Sequence, residues 1–191
     1  VFPIYNEEKN LDFLLKEWDD LLKKNEIIYE FVLAEDGSTD QTKNIIKNLK
    51  KKYNINDQSV LERTGYGPAV IRGISNSNYE YFLCCDSDGQ ISPTSLDSLV
   101  KLPGENEFLI GYRQPREDPF LRKIYSFFFK ILHKVLFYSS IKDPSCPFVL
   151  GKVEEFKKLP QFKVKCDSLL LIINSWIFSP GRMPIISLTA S

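Results

Sequence analysis

Several things are missing from this 191-residue sequence, and each absence narrows what it can be. There is no excess charge: 25 Lys plus Arg balance 25 Asp plus Glu, so no overall field draws the chain to nucleic acid. Histidine occurs once, at His133, and Cys84, Cys85, Cys146 and Cys166 show neither C-x-x-C nor Cys/His zinc spacing. The cysteines read as reduced core residues of a cytosolic protein. No uncharged apolar run reaches the roughly 18 residues that a membrane-spanning helix needs. Internal repeats and low-complexity tracts are absent too, which excludes solenoids and arrays. No G-x-G-x-x-G follows the first apolar segment, which argues against a dinucleotide-binding dehydrogenase. The chain shows no initiator methionine and no visible signal peptide, which in a sequence cut at its start says little about targeting. The opening Val1-Phe2-Pro3 and the abrupt end at Ser191 lead us to expect a domain cut at both ends.

What is present suits one globular domain over residues 1–191, since 43% hydrophobic content in a chain of this length supplies a substantial core. Asn6 with Glu7 and Glu8 predicts a helix start. Leu11, Leu14, Leu15, Trp18, Leu21 and Leu22 then recur at helical spacing. Ile27 to Ala34 reads as a strand, broken by Glu35-Asp36-Gly37-Ser38-Thr39-Asp40 before a helix carrying Ile45, Ile46 and Leu49. Ser59 to Leu61 suggests a short strand, and Gly65-Tyr66-Gly67-Pro68 leads into a helix with Val70, Ile71 and Ile74. Tyr81 to Cys85 reads as a buried strand, which points Cys84 and Cys85 to opposite faces. Ser92-Pro93 predicts a helix through Leu96 and Leu99, and Phe108 to Ile110 another strand. Later signals are a strand at Phe148 to Leu150, a helical turn at Val153 to Lys158, a buried helix from Leu169 to Phe178, and a strand at Met183 to Leu188. This alternation predicts an α/β fold with a Rossmann-like, mostly parallel central sheet and helices on both faces.

The densest chemistry is Asp86-Ser87-Asp88-Gly89-Gln90, where the Tyr81–Cys85 strand leaves the sheet. In open α/β sheets, ligands bind outside the carboxyl ends of the strands. Asp86, Asp88 and Gln90 offer hard oxygen donors suited to Mg2+ or Mn2+ with room for substrate phosphates. The same residues also suit an Asp-rich turn bonding its own backbone, and the spacing alone leaves both readings open. An EF-hand is excluded because Gly89 falls at the fourth loop position rather than the sixth.

Residues 119–138 differ from the rest. If helical, they place Lys123, Lys130 and Lys134 on a narrow polar arc with Ser126 and His133, while Ile124, Phe128, Phe129, Ile131, Leu132, Val135 and Leu136 fill most of the circumference. Such a helix suits a membrane interface, and it equally suits packing against the sheet edge. On that arc His133 reads as a surface or interface residue rather than a catalyst.

Taken in order, these segments resemble the family 2 glycosyltransferases of the GT-A fold, and more narrowly their polyprenyl-phosphate branch, the dolichol-phosphate mannose synthase-like enzymes. Pro3-Ile4-Tyr5-Asn6-Glu7-Glu8 is similar to the family's P-x-Y-N-E-x start, and Ala34-Glu35-Asp36-Gly37-Ser38-Thr39-Asp40 to its V-D-D-G-S-x-D. Gly65-Tyr66-Gly67-Pro68-Ala69 through Arg72-Gly73 resembles G-x-G-x-A-x-x-x-G, and Asp86 to Gln90 resembles D-x-D-x-Q. Gly111-Tyr112-Arg113, Leu121-Arg122-Lys123-Ile124 and Asp143-Pro144-Ser145 follow in the family's order, so the likeness covers about residues 1 to 160.

The resemblance implies metal-dependent transfer of a sugar from a GDP- or UDP-sugar to a polyprenyl phosphate, with Mg2+ or Mn2+ held by Asp86, Asp88 and Gln90. It implies catalytic roles for Asp86, Asp88 and Arg122. It also implies donor contacts from Pro3, Tyr5, Glu7, Glu35, Asp36, Ser87, Arg113 and Arg122, the two arginines facing phosphates. A lipid phosphate is anionic near neutral pH, so the absence of an obvious general base is consistent with it as acceptor. The implied place of work is the cytosolic face of a membrane, as a cytoplasmic, peripheral protein. Transfer to a saccharide hydroxyl and a non-catalytic nucleotide-sugar-binding relative are the alternatives. The sequence departs from the family at Glu35 (the family has Asp), at Pro147 (commonly Gly), and at Ser168-Leu169-Leu170, where a Glu is frequent.

Overall fold

In the computed structural model the described residues are 1–98, 108–113, 146–158 and 186–190, and for 97, 98, 112, 113 and 186–190 the backbone alone is described. The elements run β1 (Phe2–Ile4), α1 (Leu11–Lys24), β2 (Phe31–Glu35), α2 (Thr42–Leu49), β3 (Ile55–Asp57), α3 (Tyr66–Ser75), β4 (Tyr81–Cys84), a 3-10 helix (Pro93–Ser98), β5 (Phe108–Arg113), β6 (Val149–Lys152), α4 (Val153–Lys157) and β7 (Ile186–Ala190).

β1, β2 and β3 pair in parallel, with β2 in the centre. A second group runs in the order β4-β6-β5-β7. Backbone bonds join the two groups, because the Val1 ammonium donates to the Leu83 carbonyl at 2.6 Å and the Cys85 amide to the Val1 carbonyl at 3.1 Å. β1 and β4 are therefore neighbours, and the strand order reverses between them. β5 and β7 are parallel, but β6 is antiparallel to both β4 and β5. The sheet is mostly parallel, as expected, with one inverted strand that helix–strand alternation does not reveal.

Period-two alternation divides the core. Phe2, Ile4, Phe31, Leu33 and Cys85 meet Leu11, Leu14, Leu15 and Trp18 of α1 and Ile46 and Leu49 of α2 on one face. Phe82, Cys84, Phe108, Ile110 and Val149 meet Val70 and Ile74 of α3 and Val153 and Phe156 of α4 on the other. Helices thus cover both faces, and the adjacent cysteines Cys84 and Cys85 do point to opposite sides.

Several boundaries differ from the sequence reading. α1 begins at Leu11, not after Asn6. Asn6 sits at φ 57°, a left-handed conformation that Asn tolerates, and its Oδ1 accepts the Thr39 amide at 2.9 Å rather than capping its own helix. β2 starts at Phe31, with Ile27 and Ile28 exposed before it. β3 is Ile55–Asp57 instead of Ser59–Leu61, where Val60 makes only an isolated bridge to Asp36 and Leu61 is exposed. The segment after Ser92 is a 3-10 helix, and the last strand is shifted to Ile186–Ala190. The expected helices at 119–138 and 169–178 lie outside the described residues.

Candidate active site

The carboxyl ends of β1, β2 and β4 and the loop between β3 and α3 are tied together in a closed circuit. The β1 loop is fastened to the β2 loop: the Asn6 amide donates to Ser38 Oγ at 3.0 Å, Glu7 N to Thr42 Oγ1 at 2.9 Å, and Glu8 N to Asp40 Oδ2 at 3.2 Å. In return the Gln41 amide donates to Glu8 Oε2 at 3.0 Å. These bonds give polar loop backbones the partners that the sheet no longer supplies.

The next link is Asp36, buried at 3% exposure. Its carboxylate accepts from the Thr64 hydroxyl, from the Thr64 amide at 3.1 Å and from the Gly65 amide at 2.7 Å, with Arg72 Nη2 at 3.6 Å. Burial pushes this carboxyl up, but the Thr64 and Gly65 donors and the Arg72 charge outweigh it and hold the pKa below the usual carboxylate range. Arg72 reaches further, with Nε donating to the Gln58 carbonyl at 2.9 Å and Nη2 to the Glu35 carbonyl at 3.1 Å. The loops approach so closely that a Cβ on Gly37, itself at φ +74°, would lie 2.7 Å from the Arg63 amide nitrogen.

From Gly65 the chain enters α3, whose first residue supplies the third link. The Tyr66 hydroxyl donates to Asp86 Oδ1 at 2.8 Å. Burial, then the neighbouring Cys84 and Asp86, push this hydroxyl above the ordinary tyrosine range, so it stays a donor. The circuit closes where Ser87 Oγ donates to the Pro3 carbonyl at 2.9 Å. Across its mouth the Arg63 guanidinium lies 3.9 Å from the centre of the Tyr5 ring.

The residues singled out in the sequence are therefore placed as follows. Pro3, Tyr5, Glu7, Asp36, Asp86, Ser87, Asp88 and Gln90 all belong to this one edge of the sheet. Asp86 is half-buried, Asp88 and Gln90 are exposed, and the Gln90 amide donates to Asp88 Oδ1 at 3.0 Å around Gly89 at φ +73°. Glu35 turns inward: it is fully buried, accepts the Ser38 amide and has Lys43 Nζ at 3.8 Å. Arg113 ends β5 and its side chain, like the whole of Arg122, lies outside the described residues. Sequence reasoning passed over Thr64, Tyr66 and Arg72 as bonding groups, although Tyr66 and Arg72 stand inside the glycine-rich segment it quoted.

No group of three or more His, Cys, Asp or Glu that could hold a metal occurs among the described residues. Asp86 and Asp88 are two carboxylates on one turn, and Gln90, whose backbone amide bonds Asp88, adds a further oxygen donor to that turn. That donor set fits a Mg2+ or Mn2+ ion that keeps water and substrate oxygens, and it does not fit an all-protein cage. A separate cavity of about 630 Å3 lies beside the amino ends of β1, β2 and β4, lined by Trp18, Ile27, Tyr29, Tyr79 and Leu83 among others. Its mostly apolar wall, which runs along β4 as far as Cys85, is unsuited to a diphosphate.

Residues 1–159 match the family model described as glycosyl transferase family 2. The chain belongs to this family. It is 31% identical over 177 residues to a dolichyl-phosphate beta-glucosyltransferase of Trichomonas vaginalis, covering 83% of this chain and 54% of that one. It is 32% identical over 129 residues to an undecaprenyl-phosphate 4-deoxy-4-formamido-L-arabinose transferase of Proteus mirabilis, covering 64% and 39%. The chain thus spans about half the length, or less, of these two relatives, both named for polyprenyl-phosphate acceptors. The fold matches that of glucosyl-3-phosphoglycerate synthase from Mycobacterium tuberculosis, solved with Mn2+, UDP and phosphoglyceric acid. The TM-score is 0.63 at 19% identity, covering 83% of this chain and 56% of that one. The likeness confirms the GT-A architecture expected of this family 2 glycosyltransferase chain.

Proposed function

We propose that this family 2 chain is the donor-binding core of a glycosyltransferase that moves a sugar from a nucleoside diphosphate-sugar to a polyprenyl phosphate. The observation that carries this reading is the circuit at the sheet's carboxyl edge. It brings the β1 and β2 loops, the start of α3 and the acidic turn after β4 to one edge of the sheet. The names of the relatives support the acceptor class.

Each group has a task in this reading. Asp86 and Asp88, with Gln90, would hold a Mg2+ or Mn2+ ion. That ion, when bound, neutralises the diphosphate and stabilises it as a leaving group. Ser87 fixes the acidic turn against β1 through Pro3, while Tyr5 and Glu7 face the nucleoside. Asp36 and Glu35 shape the pocket from beneath, since both carboxylates are already bonded to loop donors. Arg113 and Arg122 complete the phosphate contacts. The acceptor phosphate is anionic at neutral pH and attacks the anomeric carbon without a general base. Residues 119–138 place the enzyme at the cytosolic membrane surface. Among the described residues no helix is long and apolar enough to cross a membrane.

The test is radiolabel transfer from GDP- and UDP-sugars to a polyprenyl phosphate in detergent, with Mn2+ or Mg2+. We expect labelled organic-extractable lipid from the parent chain and loss of at least about 100-fold in Asp88→Ala. Asp88 is exposed and its removal creates no core cavity, so stability should change by no more than about 0.5 kcal/mol. Nucleotide binding without transfer to lipid would favour a non-catalytic relative, and transfer to a saccharide would reassign the acceptor.

A further inference from the structure

Tyr66 is bound to the acidic turn through a single hydroxyl, and both ends of that contact are anchored independently. On one side, Gly65 takes φ 104° before α3, and its amide is held by Asp36 Oδ2 at 2.7 Å. The helix then lies flat on the sheet. Val70 and Ile74 are fully buried, and a Cβ on Gly73 would sit only 3.2 Å from Ala34 Cβ. On the other side, the Cys85 amide is bonded to the Val1 carbonyl at 3.1 Å and Ser87 Oγ to the Pro3 carbonyl at 2.9 Å, so Asp86 is pinned between two fixed residues. These anchors hold the backbone on either side of Asp86, whereas the Tyr66 hydroxyl, 2.8 Å from Oδ1, bonds the carboxylate itself.

We infer that Tyr66 is a positioning residue for the metal-binding carboxylate of Asp86, setting its orientation from the first turn of α3. This rests on the donor-site reading above and deepens it. Asp36 would then act on the cation site at one remove, through Gly65 and Tyr66, without touching metal or sugar. The physical basis is that a hydrogen bond to a ligand oxygen restricts the ligand's rotation and removes the cost of ordering it when the ion arrives. Such outer partners commonly contribute about 10- to 100-fold in metal affinity.

Tyr66→Phe deletes one oxygen and leaves the ring to pack. The experiment is Mn2+ titration followed by electron paramagnetic resonance, with Mn2+ alone and with UDP or GDP, on the parent chain, Tyr66→Phe and Asp86→Asn. Metal-free UDP and GDP affinity and the melting temperature are measured in parallel. The expected result is Mn2+ affinity about 10- to 100-fold weaker in Tyr66→Phe, with metal-free nucleotide affinity and melting temperature retained. In the Asp86→Asn background the Phe substitution should have no further effect on Mn2+.

Parent chain and Tyr66→Phe that bind Mn2+ equally would overturn the positioning role while leaving the donor site intact. A Phe variant that unfolds, or that loses metal-free nucleotide binding to the same degree, would show the hydroxyl to be a structural tie and overturn it too. A parent chain that takes up no Mn2+ with either nucleotide would remove the donor-site reading, and this inference with it.

Discussion

Around β1, β2 and β3 the strand ends are held by side chains that bond distant backbone: Ser38 to Asn6, Thr42 to Glu7, Asp40 to Glu8 and Asp36 to Thr64 and Gly65. Around β4, β6 and β5 the described contacts are chiefly rings. Phe82 stands 6.2 Å from Phe108 and 5.5 Å from Phe156, with Gly151 lying between the strands beneath them. The difference follows from topology. Parallel strands joined by crossovers bring loop ends together from about 30 residues apart, and directional bonds must fix how those ends meet. The antiparallel strand β6 takes its register from its partners' backbones and fills its side by packing. The first half therefore ties its loops together with polar bonds, and the second packs its strands through rings while lending the acidic turn after β4 to the same edge.

The largest effect should come from breaking the circuit at its most connected point. Asp36→Ala leaves Arg72 without its carboxylate partner and strips the Thr64 and Gly65 amides of an acceptor in a nearly buried place. Removing one partner of a buried pair costs about 3–5 kcal/mol. We expect urea unfolding to show a loss of that order and UDP or GDP binding to disappear, because the β3–α3 loop is no longer held over the cleft. Full nucleotide binding by a stable Asp36→Ala chain would mean that packing, not the circuit, shapes the site.

The sequence showed the acidic turns but not the way they are joined. Runs such as Phe31–Glu35 and Tyr81–Cys84 announce themselves because buried strands need continuous apolar residues. α1 was visible from its heptad-like leucines. The inverted strand β6 was invisible as such, since Phe148 to Leu150 looks the same in either direction. Asn6 was misread as a cap because its side chain has two uses, and the choice between them depends on Thr39 lying nearby in space. The D-x-D turn was visible, but its spacing left a cation site and a plain Asp-rich turn both open, and only the ordered set of neighbouring segments favoured the first. The role of Tyr66 was not visible, because nothing local marks an aromatic residue at a helix start as the donor to a carboxylate 20 positions later. Glu35 looked like a pocket carboxylate, and only the fold shows it turned inward beneath Ser38.

A smaller effect, aimed at the other half, is expected for Gly151→Ala. A Cβ there would lie 2.5 Å from Phe108 Cε1 and 3.3 Å from Phe82 Cε1, and Phe108 is fully buried. Overpacking of this kind costs about 1–3 kcal/mol. The stability loss should appear in urea unfolding, while nucleotide affinity measured on the folded protein stays at the parent value. A selective loss of nucleotide affinity in Gly151→Ala would erase the distinction between the halves.

The smallest effect sharpens the comparison through pH. Four carboxyls of the first half, Asp19, Asp36, Asp40 and Asp57, are held below their usual range. Burial pushes each one up, but hydrogen bonds reverse it: Tyr29 and Lys23 on Asp19, Thr64 and Gly65 on Asp36, Thr42 and Glu8 on Asp40, Ser59 and Lys50 on Asp57. A folded-state pKa below the unfolded value means that stabilisation is complete above the unfolded pKa, near 4, and drains away as pH falls through the folded values. The urea midpoint should therefore hold steady from pH 7 to about 5 and decline below about 4. Asp36→Asn, whose amide cannot titrate, should show a shallower decline than the parent chain, and Gly151→Ala a parallel one displaced downward. If Gly151→Ala flattened the acid limb as much as Asp36→Asn, the charge–dipole bonding assigned to the β1–β3 half would have to be shared with the β4–β6 half.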